Sequence, residues 1–429
     1  MHEFTGLSTS FSSGSICRWC HADYHDMHQC LRACTLSLRT KEDYDEVIES
    51  EDELMMEHHG IKYSCLLNTL PGFHTTLSSP PGFFHDVLEG VARKEIHRLQ
   101  QHLSRRGLTR EDLNERLARH DYGRTDDANR PSALSPPTGS TIGNKANQSW
   151  LLIRYLLVVA EDYGDANSPE WNPFRLFSLL VESLTKTKYT DLEVDRLEES
   201  IEEWISSYVT LYGVEEMISG NGRFKSSITP KHHYLLHYPH HIRMVGPLIH
   251  LSTFTYESMH LTGKAKSYIT KCFINLPLTI SNTYALVCAE RRSRPYLEVT
   301  PSKPDTVSTS SSPLLSSLSM ALPPILPSCK SIDYRGTTFR IRDLIVRSMS
   351  GSIPLFSTIE SIVHLNNSWH FVGYELLTSA RSNITQAFLV KMTNTPAITP
   401  ITSLYSPFPL ALTKNVIGDS IVVLKHGID

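Results

Sequence analysis

Two short motifs, far apart along the chain, restrict its fold more than any other feature. Cys17-Arg18-Trp19-Cys20 places two thiols at the C-x-x-C spacing, and Lys231-His232-His233-Tyr234-Leu235-Leu236-His237 places imidazoles about one helical turn apart. Such a thiol pair can grip one side of a zinc ion, and such an imidazole pair the other. If both grip the same ion, the fold must bring together residues separated by about 210 positions.

Each half of that arrangement has other readings. A C-x-x-C is also the spacing of a redox dithiol, which wants a strand before it and a helix N-terminus behind the first thiol. The Ser/Gly-rich stretch before Cys17 fits that poorly. Cys30 and Cys34 offer a compact four-thiolate alternative, and His21, His25 and His28 lie close by in sequence. In the His group, Pro239 is expected to end the helix, leaving His240 and His241 as surface residues. His237 can pair with either His232 or His233 on one helical face. Any of these histidines alone reads equally well as a packed, hydrogen-bonded side chain.

The 429 residues are long enough for two or three domains. At 40% hydrophobic, 20% charged and net charge −4, the chain is not a strongly basic nucleic-acid binder, although a local basic patch remains open. No apolar run reaches the ~18–20 residues of a membrane span. Met1 to Gly14 is polar, so no signal peptide is expected. A reducing compartment follows, and its 8 Cys are then thiols or metal ligands rather than a disulfide framework.

The pattern along the chain predicts an α+β protein. Residues 1–70 read as a zinc-ligand segment followed by an acidic helical stretch, Thr40 to His59. Residues 71–299 read as a helical domain carrying the His pair and Glu257. Within it, Pro80 to Gly90 opens a helix running to about Arg106, Ala146 to Val159 reads as a buried helix, and Phe174 to Lys186 as another. Asp191 is expected to cap a further helix in which Leu197, Ile201, Trp204, Ile205 and Tyr208 recur at helical spacing. Glu257 to about Arg292 reads as one long helical region interrupted near Pro277. Residues 300–329 are Pro/Ser/Thr-rich and are expected to form a disordered linker. Residues 330–429 carry short β-branched and aromatic runs separated by turn signals, the pattern of a small antiparallel β-barrel.

The segment Thr229-Pro230-Lys231-His232-His233-Tyr234-Leu235-Leu236-His237-Tyr238-Pro239, then Gly246-Pro247-Leu248 and Phe254 to His260, resembles transposon-encoded proteins related to the CACTA/EnSpm-type DDE transposases. Ser15 to His21, Pro80 to Gly90, Lys145 to Leu152 and the β-rich tail match in the same order, so the resemblance spans nearly the whole chain. It implies an RNase H-like core, as in the V(D)J recombinase catalytic subunit, with three acidic residues holding two divalent ions. It also implies a helical insertion between the second Asp and the final Glu, stapled by zinc. Carried over, Cys17, Cys20, His237 and either His232 or His233 are the zinc ligands, with the five-residue pair His232 and His237 preferred. Glu257 is the third carboxylate. DNA as partner, nuclear localisation and homo-oligomerisation follow from the same resemblance.

The sequence departs from that pattern in two places. Both Asp partners of Glu257 are expected ahead of the C-x-x-C, yet no Asp occurs before Asp23. Gly82 stands where relatives carry Asp. The expectation is an N-terminally truncated, catalytically inactive remnant that keeps a structural Zn2+, with Mg2+ relevant only to an intact parent enzyme. One alternative is a DNA- or chromatin-binding module using Lys264, Lys266, Lys271, Arg291 and Arg292. The other is an unrelated zinc hydrolase, which needs an open coordination position.

Overall fold

The computed structural model describes residues 5–8, 14–24, 26–135, 143–213, 216–217, 224–225, 228–253, 263–269, 271, 274–293 and 298–428. The chain is mixed α+β, with helices in the N-terminal part and antiparallel strands in the C-terminal part. Helices α1 (Lys41–Glu49), α2 (Ala92–Arg105), α3 (Arg110–Arg119), α4 (Ala146–Val159), α5 (Trp171–Leu184), α6 (Asp191–Tyr212), α7 (Pro230–Tyr234) and α8 (Tyr238–Val245) build the first part. A π-helical stretch, Phe84–Val91, leads directly into α2.

Helix α4 lies at the centre because it is apolar on every side. Every residue from Ser149 to Val159 is buried. Leu152, Ile153, Leu156 and Leu157 pack into the main helical core with Phe177 and Leu180 of α5 and Ile201 and Trp204 of α6. Leu151, Tyr155 and Val158 face the other way, onto Ala387, Ile421 and Val423 of the strand part. Arg154 interrupts the apolar run without ending the helix. Its guanidinium is buried against Asp126 at 2.8 Å, and Lys425 approaches the same carboxylate at 3.5 Å. Helix α6 begins one residue earlier than expected: Thr190, not Asp191, is the cap, in a reciprocal capping box with Glu193.

The strand part does not close into a barrel among the described residues. Strands β1 (Val299–Pro301), β2 (Asp305–Ser308), β3 (Ile325–Cys329), β4 (Ser331–Tyr334), β5 (Thr337–Arg340), β6 (Leu344–Ser350), β7 (Ile353–Thr358), β8 (Ser361–Leu365), β9 (Ser368–Arg381), β10 (Phe388–Pro400), β11 (Thr413–Lys414) and β12 (Ser420–Val422) form antiparallel sheets. The large sheet has the open order β11-β12-β10-β9-β8-β3-β2, with the β6–β7 hairpin branching from β9, and β1-β4-β5 is a separate small sheet.

Residues 300–329 are not a linker. They supply β2, β3 and a short helix, Pro313–Ser316. Leu314, Leu315, Leu318 and Leu326 are buried against Val363, Leu365 and Val372. Average composition hides this because a few leucines at helical spacing are enough to anchor a Ser/Pro-rich segment. Beyond 253, residues 263–269 are helical and α9 (Leu276–Ser293) follows. The break lies at Lys271 and Asn275, both with positive φ, and Pro277 sits inside the first turn of α9, where its missing N–H costs nothing.

One buried acid sits in the helical core. Glu95 on α2 is 1% exposed and accepts a 2.6 Å hydrogen bond from the Trp204 indole N–H. Burial pushes its carboxyl up to about 8, against the pull of Trp204 and Arg98. The folded chain therefore holds a neutral acid where the unfolded chain ionises. This contribution to stability is complete below the ordinary glutamate value of 4.5 and is lost as pH rises through about 8. Glu95→Gln should remove the loss. In urea unfolding, the variant should gain on the wild type by about 1.4 kcal/mol per pH unit within that window. Parallel curves at pH 5 and 8 would show that Glu95 is not the group responsible.

Candidate metal centre

The Cys arm is a tight loop laid against an extended strip. His21 N–H donates to Ser37 O at 2.9 Å, Arg39 N–H donates to Trp19 O at 2.8 Å, and Cys20 bridges Leu38. Within the loop the Trp19 amide points at Cys17 Sγ, 3.4 Å away. Arg39 fixes the loop from behind. Its Nε donates to both Cys17 O and Cys20 O at 3.1 Å, and its terminal nitrogen donates to His59 O at 2.6 Å. The sequence offers no signal for this role of Arg39, because a buried guanidinium bonded to three carbonyls has no local motif.

The His arm is set by how α7 begins. Thr229 is its N-cap, Pro230 its first residue and His232 the third, so the His232 ring turns back to the cap. Thr229 N–H donates to His232 Nδ1 at 3.2 Å, and the ring stacks on Trp204 at 5.8 Å between centroids. Burial pushes His232 down to about 3, so it is a neutral capping side chain. His233 and His237, four residues apart across the turn Leu235–His237, point instead at the Cys loop. The expected pairing of His232 with His237 is thus corrected to His233 with His237.

Four donors converge. Cys20 Sγ lies 3.1 Å from His233 Nε2, Cys17 Sγ lies 3.3 Å from His237 Nε2, and the two imidazole Nε2 atoms are 3.3 Å apart. All four donor atoms fall within 4.8 Å of one another, and all four side chains are buried. Zinc bonds of about 2.3 Å to sulfur and about 2.05 Å to nitrogen give tetrahedral edges of about 3.3 Å for N···N and about 3.5 Å for N···S. The donor set, S2N2, and its spacing both fit a structural zinc ion. Among the described residues this is the one cluster of three or more such side chains close enough to hold an ion.

Protonation follows from the same contacts. Burial alone would raise the Cys17 thiol, but the hydrogen bond from Cys20 and the charges of His237 and His233 outweigh it and hold Cys17 well below its ordinary value. Cys20 is pushed the other way, by donating to Cys17 and by burial. Metal binding needs both sulfurs as thiolates and both imidazoles neutral at the ligating nitrogen, so it competes with protons.

The other candidates lie elsewhere. Cys30 points at Asp26, 4.0 Å away, and takes no part in the cluster, and the Cys34 side chain lies outside the described residues. His21 faces Asp43 at 3.5 Å. His240 is exposed as expected, whereas His241 is buried against Trp19 with ring centroids 5.1 Å apart. Glu257 lies outside the described residues, as does the Arg291 side chain. Lys264, Lys271 and Arg292 are exposed and Lys266 is half-buried. No helix is long and apolar enough to cross a membrane, among the described residues.

Comparison with protein-family models, with curated proteins and with solved structures found no match.

The purified chain should carry about one equivalent of zinc, and the metal should be held less tightly as pH falls, because its ligands must be deprotonated. Cys17→Ser and His233→Ala should each abolish stoichiometric binding. His232→Ala should keep the metal and lose only cap stability, on the order of 1 kcal/mol. Retention of zinc by His233→Ala together with its loss from His232→Ala would reverse the assignment.

Proposed function

We propose that the chain is a zinc-stapled scaffold descended from a DDE-type transposase, with no nuclease activity of its own. The observation that carries this reading is the closed set of four buried donors drawn from motifs separated by 213 to 220 residues. A set filled entirely by protein side chains suits a structural ion and leaves no place for substrate or water. That also argues against a zinc hydrolase. The order of the motifs, a Cys pair, a helical insertion, a His pair and then Glu257, supports the descent. A closed donor set gives the ion no part in phosphodiester chemistry, which supports the scaffold reading over a catalytic one.

A DNA-contacting role is the second reading, favoured by the exposure of Lys264, Lys271 and Arg292. It predicts binding that weakens about a hundredfold between about 50 and 200 mM salt if four phosphates are neutralised.

Incubation with supercoiled plasmid in Mg2+ or Mn2+ tests the first reading. The expected outcome is no nicking above background, identical for wild type and Glu257→Gln. Nicking by the wild type that vanishes in Glu257→Gln would restore the enzyme reading.

A further inference from the structure

Both arms of the metal site reach the same distant segment. From the Cys loop, the Trp19 indole N–H donates to Ser79 O at 2.8 Å, and the Arg18 guanidinium faces Asp86 at 3.9 Å with both side chains buried. Asp86 also accepts from Gly82 N–H at 3.0 Å, closing the start of the helical stretch. From the His arm, Lys231 Nζ donates to His85 O at 2.6 Å. The Lys231 stem crosses Gly90 so closely that a Cβ there would stand 2.4 Å from Lys231 Cδ.

The segment held in this way, Phe84–Val91, is the π-helical one. A π-helix accommodates more residues per turn than an α-helix, is rare, and persists where an outside contact inserts into the backbone ladder. Lys231 supplies such a contact at the His85 carbonyl. The exposed edge of the stretch carries His85, whose Nδ1 lies 3.0 Å from Glu89 Oε2, and Arg93, 3.6 Å from the same carboxylate.

We propose that the metal ion acts as a conformational switch for this segment. With the ion bound, Arg18, Trp19 and Lys231 are held in register and Phe84–Val91 stays π-helical. When the ion leaves, the two arms separate, the hold on Asp86 and on the His85 carbonyl is lost, and the stretch relaxes toward the α-helical repeat. The His85–Glu89–Arg93 edge then turns relative to the core. The inference rests on the metal reading above and extends it from a static staple to a site with a readout elsewhere.

Hydrogen–deuterium exchange on the full chain tests it, comparing zinc-loaded protein, chelator-treated protein, and zinc-loaded Arg18→Gln and Gly90→Ala. Neither substitution removes a ligand. Chelation should speed exchange at 84–91 by about tenfold or more, together with 16–20 and 229–237, while 151–158 in α4 stays protected. Arg18→Gln and Gly90→Ala should retain zinc yet show faster exchange confined to 79–91. If chelation loosens 16–20 and 229–237 but leaves 84–91 unchanged, the switch is wrong and the staple stands. If zinc has no effect on 16–20 and 229–237, the metal reading itself fails. Should chelation unfold the whole chain, the zinc-loaded variants decide: slow exchange at 84–91 in both would overturn the coupling.

Discussion

Four donor atoms meeting in a buried volume are the constraint on which the rest of this structure depends. Cys17, Cys20, His233 and His237 come from opposite ends of the helical part, and among the described residues no other cluster brings two thiols and two imidazoles out of water together. Without an ion the arrangement is costly, since buried polar groups must find partners and these find mainly one another. With an ion, the cost becomes a cross-link. Treated as such, closure over about 210 residues removes unfolded-state entropy worth on the order of 5 kcal/mol by the chain-entropy estimate.

The surroundings of the site share that logic. Arg39 holds the Cys loop by its carbonyls, Tyr234 Oη donates to Ile16 O at 3.2 Å, and Trp19 is enclosed by Tyr234, His237 and His241. A loop of four residues has no core of its own, so its geometry is borrowed from these contacts. The strand part is tied to the helical part in a comparable way but without metal. Arg154, Asp126 and Lys425 form a buried ionic cluster, Arg381 pairs with Glu182, and the Trp171 indole donates to Ile384 O at 3.1 Å. The two parts share α4, which explains why that helix is apolar on all faces.

Much of this was legible in the sequence where one physical rule dominates. Dense apolarity, interrupted only by Arg154 between Ser149 and Val159, marks α4 to the residue, and C-x-x-C with a downstream His cluster marks the metal site. What stayed hidden depended on local competition or on distant partners. His232 and His233 are equivalent by spacing, and only the capping demand of Thr229 at the start of α7 separates them. The leucines of 314–326 were outvoted by surrounding Ser and Pro, although burial needs only the leucines. Sheet closure was unreadable because it depends on how strand edges meet, and a run of alternating residues says nothing about its neighbour. No local motif announces the burial of Arg18 and Arg39, which follows from contacts with residues 19 to 68 positions away.

The most direct measurement is X-ray absorption at the zinc edge on the purified full chain. The account predicts a first shell of two sulfurs at about 2.3 Å and two nitrogens at about 2.0–2.1 Å, with no oxygen ligand. A shell of four sulfurs, or one containing water oxygen, would contradict it.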